Sequence, residues 1–326
     1  MAQYGPASSF LLVGGRNISG DTFTLDETVE NVLEETHGLG DLWEESLPVG
    51  LARVLLEAGG GIYDDRVGGI MEALQAKGAT LQIVDYGFSG YAIGGQAVAL
   101  NGTYATTWKR ISSREGLTHA HALHKITGRY CRSRVLHGIT AETTDPGPGY
   151  GASVDRTTDI GLPACAITSS SVANPTHIIT PVNHYLTSGD IIVITGHTGS
   201  NPNINGGNGY AVTVVNPKEF TIPVNVTTGG TGGTFQIASS RGAVANLHVL
   251  ALVLGGFTNI IFKVQHSADN SSFSDLMTFS TVTTEAFSEQ QSTAVLVNRW
   301  TRMSWDWTGA GSSYSVTPYI SVGRLT

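Results

Sequence analysis

Residues Thr168 to Gln236 contain almost no pattern typical of a helix. The stretch is rich in Gly, Asn, Pro, Ser and Thr, which separate short runs of β-branched side chains. Such a composition is typical of short strands joined by turns. On both sides Lys, Arg, Glu and Trp return, with longer alternating patterns that continue past the stretch. The sequence therefore predicts a domain that carries an inserted one, because an insert whose ends lie close together adds little closure entropy to its host.

The predicted boundaries divide the chain into three segments. Residues 1–165 and 239–326 are the two parts of the host domain, and residues 166–238 are the inserted β-module. A chain of 326 residues is long enough for about two domains, each with a core of its own.

Composition narrows the class of protein. Apolar residues make up 40% of the chain and charged residues 13%, with 41 glycines, which indicates a turn-rich β protein and excludes a highly charged disordered chain. The 26 acidic and 18 basic side chains give a net charge of −8, which disfavours tight binding to nucleic acid.

Cys131 and Cys165 are expected to be free and buried. Neither a secretion signal nor insertion into a membrane is expected, since the longest apolar stretch, Leu247–Phe257, is too short to cross a bilayer.

Alternation of apolar and polar residues predicts strands over most of the host domain. Asn101-Gly102, between QAVAL and TYATTW, predicts a tight hairpin turn because both residues tolerate positive φ. One helix is expected from Asp64 to Lys77, with apolar side chains at helical spacing from Val67 to Leu74. The predicted fold class is mainly β, with one short helix.

Residue types that carry chemistry do not combine into a recognisable site. His119, His121 and His124 suggest a metal cluster, but no acid or cysteine nearby completes it, and histidines on the solvent face of a strand explain them better. The oxygen-rich segment Ser267–Asp275 lacks the glycine and glutamate of a calcium loop, so a hairpin turn is expected there. The sequence predicts no catalytic residues, no cofactor and no metal.

Both ends of the host domain resemble a known family. In Leu25–Leu74 a strand leads into a loop with the pattern GxGDxWxExxPxG, here Gly38 to Gly50, followed by Tyr63-Asp64-Asp65 and the predicted helix. This region resembles tail tube proteins, also called major tail proteins, of long-tailed bacteriophages (siphophages). The segments Lys263–Phe279 and Arg299–Gly323 resemble the closing strands of the same proteins. The insert is similar to small β-barrel-like modules that recur in phage tail and fibre proteins.

The resemblance implies a fold and a function. The expected fold is a β-sandwich or barrel-type tail tube domain, interrupted by the all-β insert. The expected function is structural, without enzymatic activity: copies of the chain stack as rings, usually of six subunits, whose sheets join edge to edge around the path of the viral DNA. The implied partners are other copies of the chain, the tape measure protein, and the tail terminator and tip proteins. DNA is expected to pass through the lumen during ejection without specific binding. The implied location is the virion tail, after synthesis in the cytoplasm of the host bacterium.

Two sets of residues are candidates for these roles. The first lies in the glycine-bounded loop and is expected either to anchor a neighbouring subunit or to pack on its own domain. It comprises Asp41, Leu42, Trp43, Glu44 and Glu45. The second is a group of acids expected to line the lumen, although strand alternation places only some of them inward. It comprises Glu27, Glu30 and Glu34.

Two other functions stay open at this stage. The chain could be a tail fibre or baseplate module that binds a carbohydrate or receptor on the host surface through the insert. A polysaccharide-degrading enzyme is the weaker alternative, because glycoside hydrolysis needs two placed carboxylates and no acidic pair stands out.

Overall fold

The structure is a computed structural model that describes residues 9–19, 24–35, 46–62, 81–112, 119–126, 130–143, 149–155, 164–184, 186, 188–206, 209–239 and 241–324. No α-helix occurs among these residues, and the predicted class, mainly β, is confirmed. The helix predicted from Asp64 to Lys77 lies outside the described residues. No described helix is therefore available to span a bilayer.

Twenty-four strands are formed by these residues. In the first part of the chain they are β1 (Phe10–Val13), β2 (Arg16–Asn17), β3 (Thr24–Glu35), β4 (Ser46–Ile62), β5 (Gln82–Gly87), β6 (Gln96–Ile111), β7 (His119–Ile126), β8 (Tyr130–His137), β9 (Gly149–Tyr150) and β10 (Val154–Asp155). In the middle they are β11 (Cys165–Ala166), β12 (Ser169–Ser170), β13 (Thr176–Ile179), β14 (Ile191–Thr195), β15 (Tyr210–Ala211), β16 (Thr213–Asn216), β17 (Glu219–Ile222) and β18 (Thr234–Ser239). The last six are β19 (Arg241–Val253), β20 (Asn259–Ser267), β21 (Ser274–Thr278), β22 (Phe287–Leu296), β23 (Trp300–Thr308) and β24 (Ser315–Arg324).

Eleven strands form one large antiparallel sheet that curls into a half-barrel. Its main path runs β2-β1-β5-β6-β8-β24-β19-β22, and β7, β4 and β3 extend it from the far half of β6. The two ends of the path meet at the turn between β1 and β2. A Cβ added to Gly15 in this turn would lie 2.4 Å from the carbonyl carbon of Ala286, just before β22, and Gly15 has a φ of +81°. Only glycine permits both the close approach and this backbone conformation.

A second sheet, with the order β10-β23-β20-β21 and with β9 paired to β23, packs on one face of the large sheet. At β19 both faces of the large sheet are buried. Its residues Ala243, Ala245, Leu247 and Val249 belong to the core shared with the second sheet, to which β20 and β23 contribute Phe262 and Trp305, among others. The intervening β19 residues point to the opposite face, as strand alternation requires.

A buried polar network lies on that opposite face. The carboxylate of Asp85 in β5 accepts hydrogen bonds from Asn246 Nδ2 at 2.7 Å, from His248 Nε2 at 2.9 Å and from Ser321 Oγ. The backbone N–H of Gly15 donates to His248 Nδ1 at 3.1 Å, so the proton of the neutral imidazole is on Nε2. Asp85, Asn246, His248 and Ser321 are fully buried. Since β6, β8 and β24 separate β5 from β19 in the sheet, these bonds cross the interior and join opposite walls of the half-barrel.

β6 corrects one expectation from the sequence. The Asn101-Gly102 hairpin prediction is wrong, because β6 continues through both residues as one 16-residue strand. Before them the strand pairs with β5 and β8, and after them it pairs with β7. Each half of β6 is thus held by other strands, and the dipeptide lies where β6 changes partner.

The strands from Cys165 to Ser239 form two four-stranded sheets, β11-β18-β14-β15 and β12-β13-β17-β16. Their ladders join only strands of this segment to one another. They enclose an apolar core of their own. Its fully buried members include Ile178, Ile192, Ile194, Ile204, Phe220 and Ile222.

Two smaller predictions have different outcomes. The Ser267–Asp275 segment forms the hairpin turn between β20 and β21, as predicted, and Asp269 accepts hydrogen bonds from the backbone N–H groups of Ser271 and Ser272, which lower its pKa. Neither cysteine forms a disulfide, as expected. Cys131 is buried, but Cys165 is half-buried, so the expectation of two buried thiols is wrong for Cys165.

The polar network predicts a large loss of stability when its acceptor is removed. Asp85→Ala removes the acceptor that three buried donors share, and we expect the free energy of unfolding to fall by about 3–5 kcal/mol. Urea unfolding followed by tryptophan fluorescence measures this change. Asp306→Ala, on the exposed side of β23, is the matched control and is expected to change stability by no more than about 0.5 kcal/mol. Equal effects of the two substitutions would contradict this role for Asp85.

Candidate assembly interface

β3 and β4 extend beyond the strands that support them. Leu55, Leu56, Glu57 and Ala58 pair on one side with β3 and on the other with β7. The preceding residues, Ser46–Val54, pair with β3 alone among the described residues. Ser46–Val54 and their partners Val29–Glu35 in β3 are called the ribbon from here on. The ribbon is about 30 Å long at the rise of a β-strand. Pro48 lies within it, opposite Leu33, and proline is tolerated where a strand lacks a second neighbour.

The ribbon has no third strand among the described residues. A two-stranded hairpin on its own is marginally stable in water, because it lacks a further strand or a packed face. A register shift between Asn31 and Leu33 interrupts its ladder as well. A further strand beside the ribbon would therefore stabilise it, and the described residues do not supply one.

β3 is also a long free edge with an acidic sequence. Its 12 residues, TLDETVENVLEE, contain five acids and no base. Two of the predicted lumen acids, Glu27 and Glu30, lie opposite Leu56 and Arg53 in the register, and Glu34 lies opposite Leu47. Glu27 is half-buried, whereas the side chains of Glu30 and Glu34 lie outside the described residues. All three acids are thus carried by the edge strand of the sheet extension.

β22 is the other long edge of the large sheet. It pairs with β19 over Phe287–Leu296 and has no second strand among the described residues. Its sequence, FSEQQSTAVL, has one acid and no base, and Val295 is 57% exposed. Exposed edges of this length present unpaired N–H and C=O groups, which either cause aggregation or are used for pairing.

The predicted anchor residues Asp41, Leu42, Trp43, Glu44 and Glu45 lie outside the described residues. In the chain they belong to the segment that connects β3 with β4, where Glu35 pairs with Ser46. The sequence indicated this connection but not the ribbon, because the pairing of Ser46–Val54 with β3 alone is not visible in either strand's own pattern.

No group of three or more His, Cys, Asp or Glu side chains in the described part of the chain is arranged to hold a metal ion. The side chains of His119, His121 and His124 lie outside that description. β7 carries all three, and it pairs with β4 and β6.

No protein-family model and no curated protein matches the sequence. Among solved structures, a chain described as "Virion of native gene transfer agent (GTA) particle" is similar, with 12% identity and a TM-score of 0.32. A chain from "Tail of empty GTA particle computed with helical refinement, C6 symmetry" is similar with 13% identity and the same TM-score. Each match covers 40% of this chain and 98% of the other. A TM-score of 0.32 is too low to show a shared family or function.

The ribbon predicts a contrast in hydrogen exchange within β4. In the isolated chain, we expect the amides of Ser46–Val54 to exchange faster than those of residues 55–58, because the latter lie between two strands. Exchange followed by mass spectrometry measures this contrast, with β20, which lies between β21 and β23, as the protected reference. Equal protection of the two halves of β4 in the monomer would show that the ribbon needs no partner.

Proposed function

We propose that this protein is a structural subunit of a bacteriophage tail, and that copies of it polymerise into the tail tube through which DNA is ejected. The observation that carries the proposal is the ribbon formed by β3 and β4, in which Ser46–Val54 pair with β3 alone among the described residues. A second copy would supply a further strand. The resemblance of residues 25–74 and of the closing strands to tail tube proteins points to the same assembly.

β3 is better suited to pair with β22 than with a second copy of β3. If β3 of one copy paired with β3 of another, acids would lie opposite acids, which destabilises an antiparallel pair. β22 has one acid in ten residues and nearly the length of β3. In the proposed interface, β3 of one subunit pairs with β22 of the next. Such a head-to-tail contact is heterologous, and it gives a closed ring when the rotation between subunits closes.

The acids of β3 also suit a passage for DNA. In the proposed ring, Glu27, Glu30 and Glu34 are candidates for the lumen wall, and the net charge of −8 has the sign needed. Lys or Arg at these positions would bind phosphates, and such contacts would accumulate over many stacked rings. An acidic wall lets DNA slide.

We also propose contacts between neighbouring subunits and with other tail proteins. Asp41 to Glu45, with Trp43 as the apolar anchor, are candidates for a contact with a neighbouring subunit. The tape measure protein is the proposed occupant of the lumen before ejection, and terminator and tip proteins would close the two ends of the tube.

The segment from Cys165 to Ser239 is proposed to be an inserted domain on the outside of the tube. Its strands pair only with one another, and its core is its own. The first strand, β11, pairs with the last, β18, with Cys165 opposite Phe235. Entry and exit are therefore adjacent, which is the condition for an insertion that leaves its host intact. A lumen sized for duplex DNA has no room for such a domain in every subunit.

Negative-stain electron microscopy of the purified protein tests the function directly. We expect rings or long hollow tubes. Trimers or isolated particles would instead favour the alternative, a fibre or baseplate module that binds a receptor.

A charge substitution tests the proposed pairing of β3 with β22. Ser292 lies on β22 and its side chain is exposed. Ser292→Glu adds an acid facing an acidic strand and is expected to weaken self-association about tenfold, whereas Ser292→Lys is expected to preserve or strengthen it. Sedimentation velocity measures both. If the two substitutions weaken association equally, the partner strand is not the acidic β3.

Removal of the segment tests its independence. Deleting residues 166–238 and joining the ends with a short glycine linker should leave a folded host that still forms tubes. Microscopy and a thermal melt measure the two properties. Loss of the host fold would refute the proposed boundaries, while a folded host that forms no tubes would place the segment in the interface.

A further inference from the structure

A cavity of about 640 Å³ lies between the loop that joins β5 to β6 and the segment that follows β8. Its size is within the range of small-molecule sites, roughly 300–1,000 Å³. Tyr91, Ile93 and Tyr150 lie at its rim, with exposed fractions of 46%, 44% and 54%. Three large apolar side chains exposed around one concavity are unusual on a surface and mark a binding site.

Hydrogen bonds fix the walls of this cavity. The backbone of Glu142 bonds in both directions with Val316 of β24, at 2.7 and 3.0 Å. Gly94 N–H donates to the carbonyl of Val135 at 2.8 Å, and Gly151 N–H donates to that of Met303 at 2.9 Å. The walls are therefore held by β24, β8 and β23, and the site is formed before any ligand arrives.

The lining includes a carboxylate that can accept a further hydrogen bond. His137, at the end of β8, donates from Nε2 to Glu142 Oε1 at 2.8 Å. No described residue donates to the second oxygen, Oε2, and the Glu142 side chain is 19% exposed. A ligand that fills the cavity must donate a hydrogen bond there, because a desolvated carboxylate oxygen without a donor is costly.

The charges around the cavity exclude two classes of ligand. An anion such as phosphate would face the carboxylate of Glu142. A quaternary ammonium or a lysine would suit a carboxylate and aromatic rings, but the guanidinium of Arg302 already lies over the Tyr150 ring, 4.1 Å from its centroid, and its charge disfavours a second cation at that ring. A wholly apolar molecule would leave Glu142 unsatisfied. The remaining class is a neutral molecule with hydroxyl donors and an apolar face.

We propose that this cavity binds a neutral sugar residue of a glycan. One face of a pyranose ring carries C–H groups that pack against the exposed tyrosines, while its hydroxyls donate to Glu142 Oε2. The site lies in the host domain and does not involve the inserted segment or the edges β3 and β22. It adds a ligand-binding activity to the proposed structural role, and it can fail without affecting that role.

Saturation-transfer difference NMR with glucose, galactose and N-acetylglucosamine tests the proposal. We expect at least one of these sugars to bind the full chain with a Kd on the order of millimolar, as suits a ligand of this size. Glu142→Gln should weaken binding about tenfold, since the charge-assisted hydrogen bond is lost. The matched control is Glu219→Gln, because Glu219 accepts from His177 at 2.7 Å in the same way but does not line this cavity.

A second pair of variants fills the cavity without disturbing its walls. A Cβ at Gly151 would make only ordinary contacts, the nearest being 3.5 Å from His137 Cδ2. Gly151→Leu should abolish sugar binding and Gly151→Ala should largely preserve it, with unchanged thermal melts.

Three results would overturn the proposal. The first is that none of the three sugars binds at about 50 mM, well above the expected Kd. The second is that binding survives both Glu142→Gln and Gly151→Leu. The third is that tetramethylammonium or inorganic phosphate, tested in parallel, binds at Glu142 in place of the sugars. If no sugar binds and Gly151→Leu blocks tube formation, the cavity is a contact between copies of the chain.

Discussion

The carboxylate of Asp85 holds the half-barrel together. It accepts from side chains of β19 and β24, which the order of the sheet places several strands away from β5. A curled sheet without such a connection can open, since apolar contacts alone have no direction. The network gives the curl a fixed register, and through His248 it also holds the turn at Gly15 against the start of β22. The position of the β22 edge therefore depends on a buried carboxylate.

The same sheet leaves long edges at β3 and β22, and this arrangement links the fold to the proposed assembly. Natural β proteins usually protect such edges with lysine, proline or short strands. Here β22 has neither a lysine nor a proline, and β3 carries acids that disfavour pairing with itself. An edge that repels its own copy but accepts a different strand permits one direction of growth. In the proposed assembly, this contrast favours pairing of β3 with β22 over pairing of β3 with a second β3.

Much of the fold follows from local sequence patterns, and the parts that do not are set by distant contacts. β8 and β20 were predictable because their side chains alternate, and β1 and β5 because they are short apolar runs that end at glycines. The Asn101-Gly102 turn was not formed, because β6 gains more from pairing with β5, β8 and β7 than a local hairpin would provide. The network of Asp85 and His248 was missed for a related reason. A polar residue in an apolar strand is visible in the sequence, but its partner, 163 positions away, is not.

The candidate site was predictable only in part. The sequence pointed to the acids of β3 and to the connection that follows them, but the length of the ribbon and the second edge depend on which strands pair, and a single sequence does not specify that. The cavity beside Tyr91 and Tyr150 gave no signal at all, since its lining comes from segments that are far apart in the chain.

The pairing of β11 with β18 has a consequence for how such a chain can change over time. The first strand of the proposed insert, β11, lies beside its last strand, β18, at a spacing of about 5 Å. Any unit whose termini are equally close can be exchanged at this point by recombination, with no adjustment of the surrounding strands. In the proposed tube, such exchanges would diversify the outer surface while the host strands stay the same.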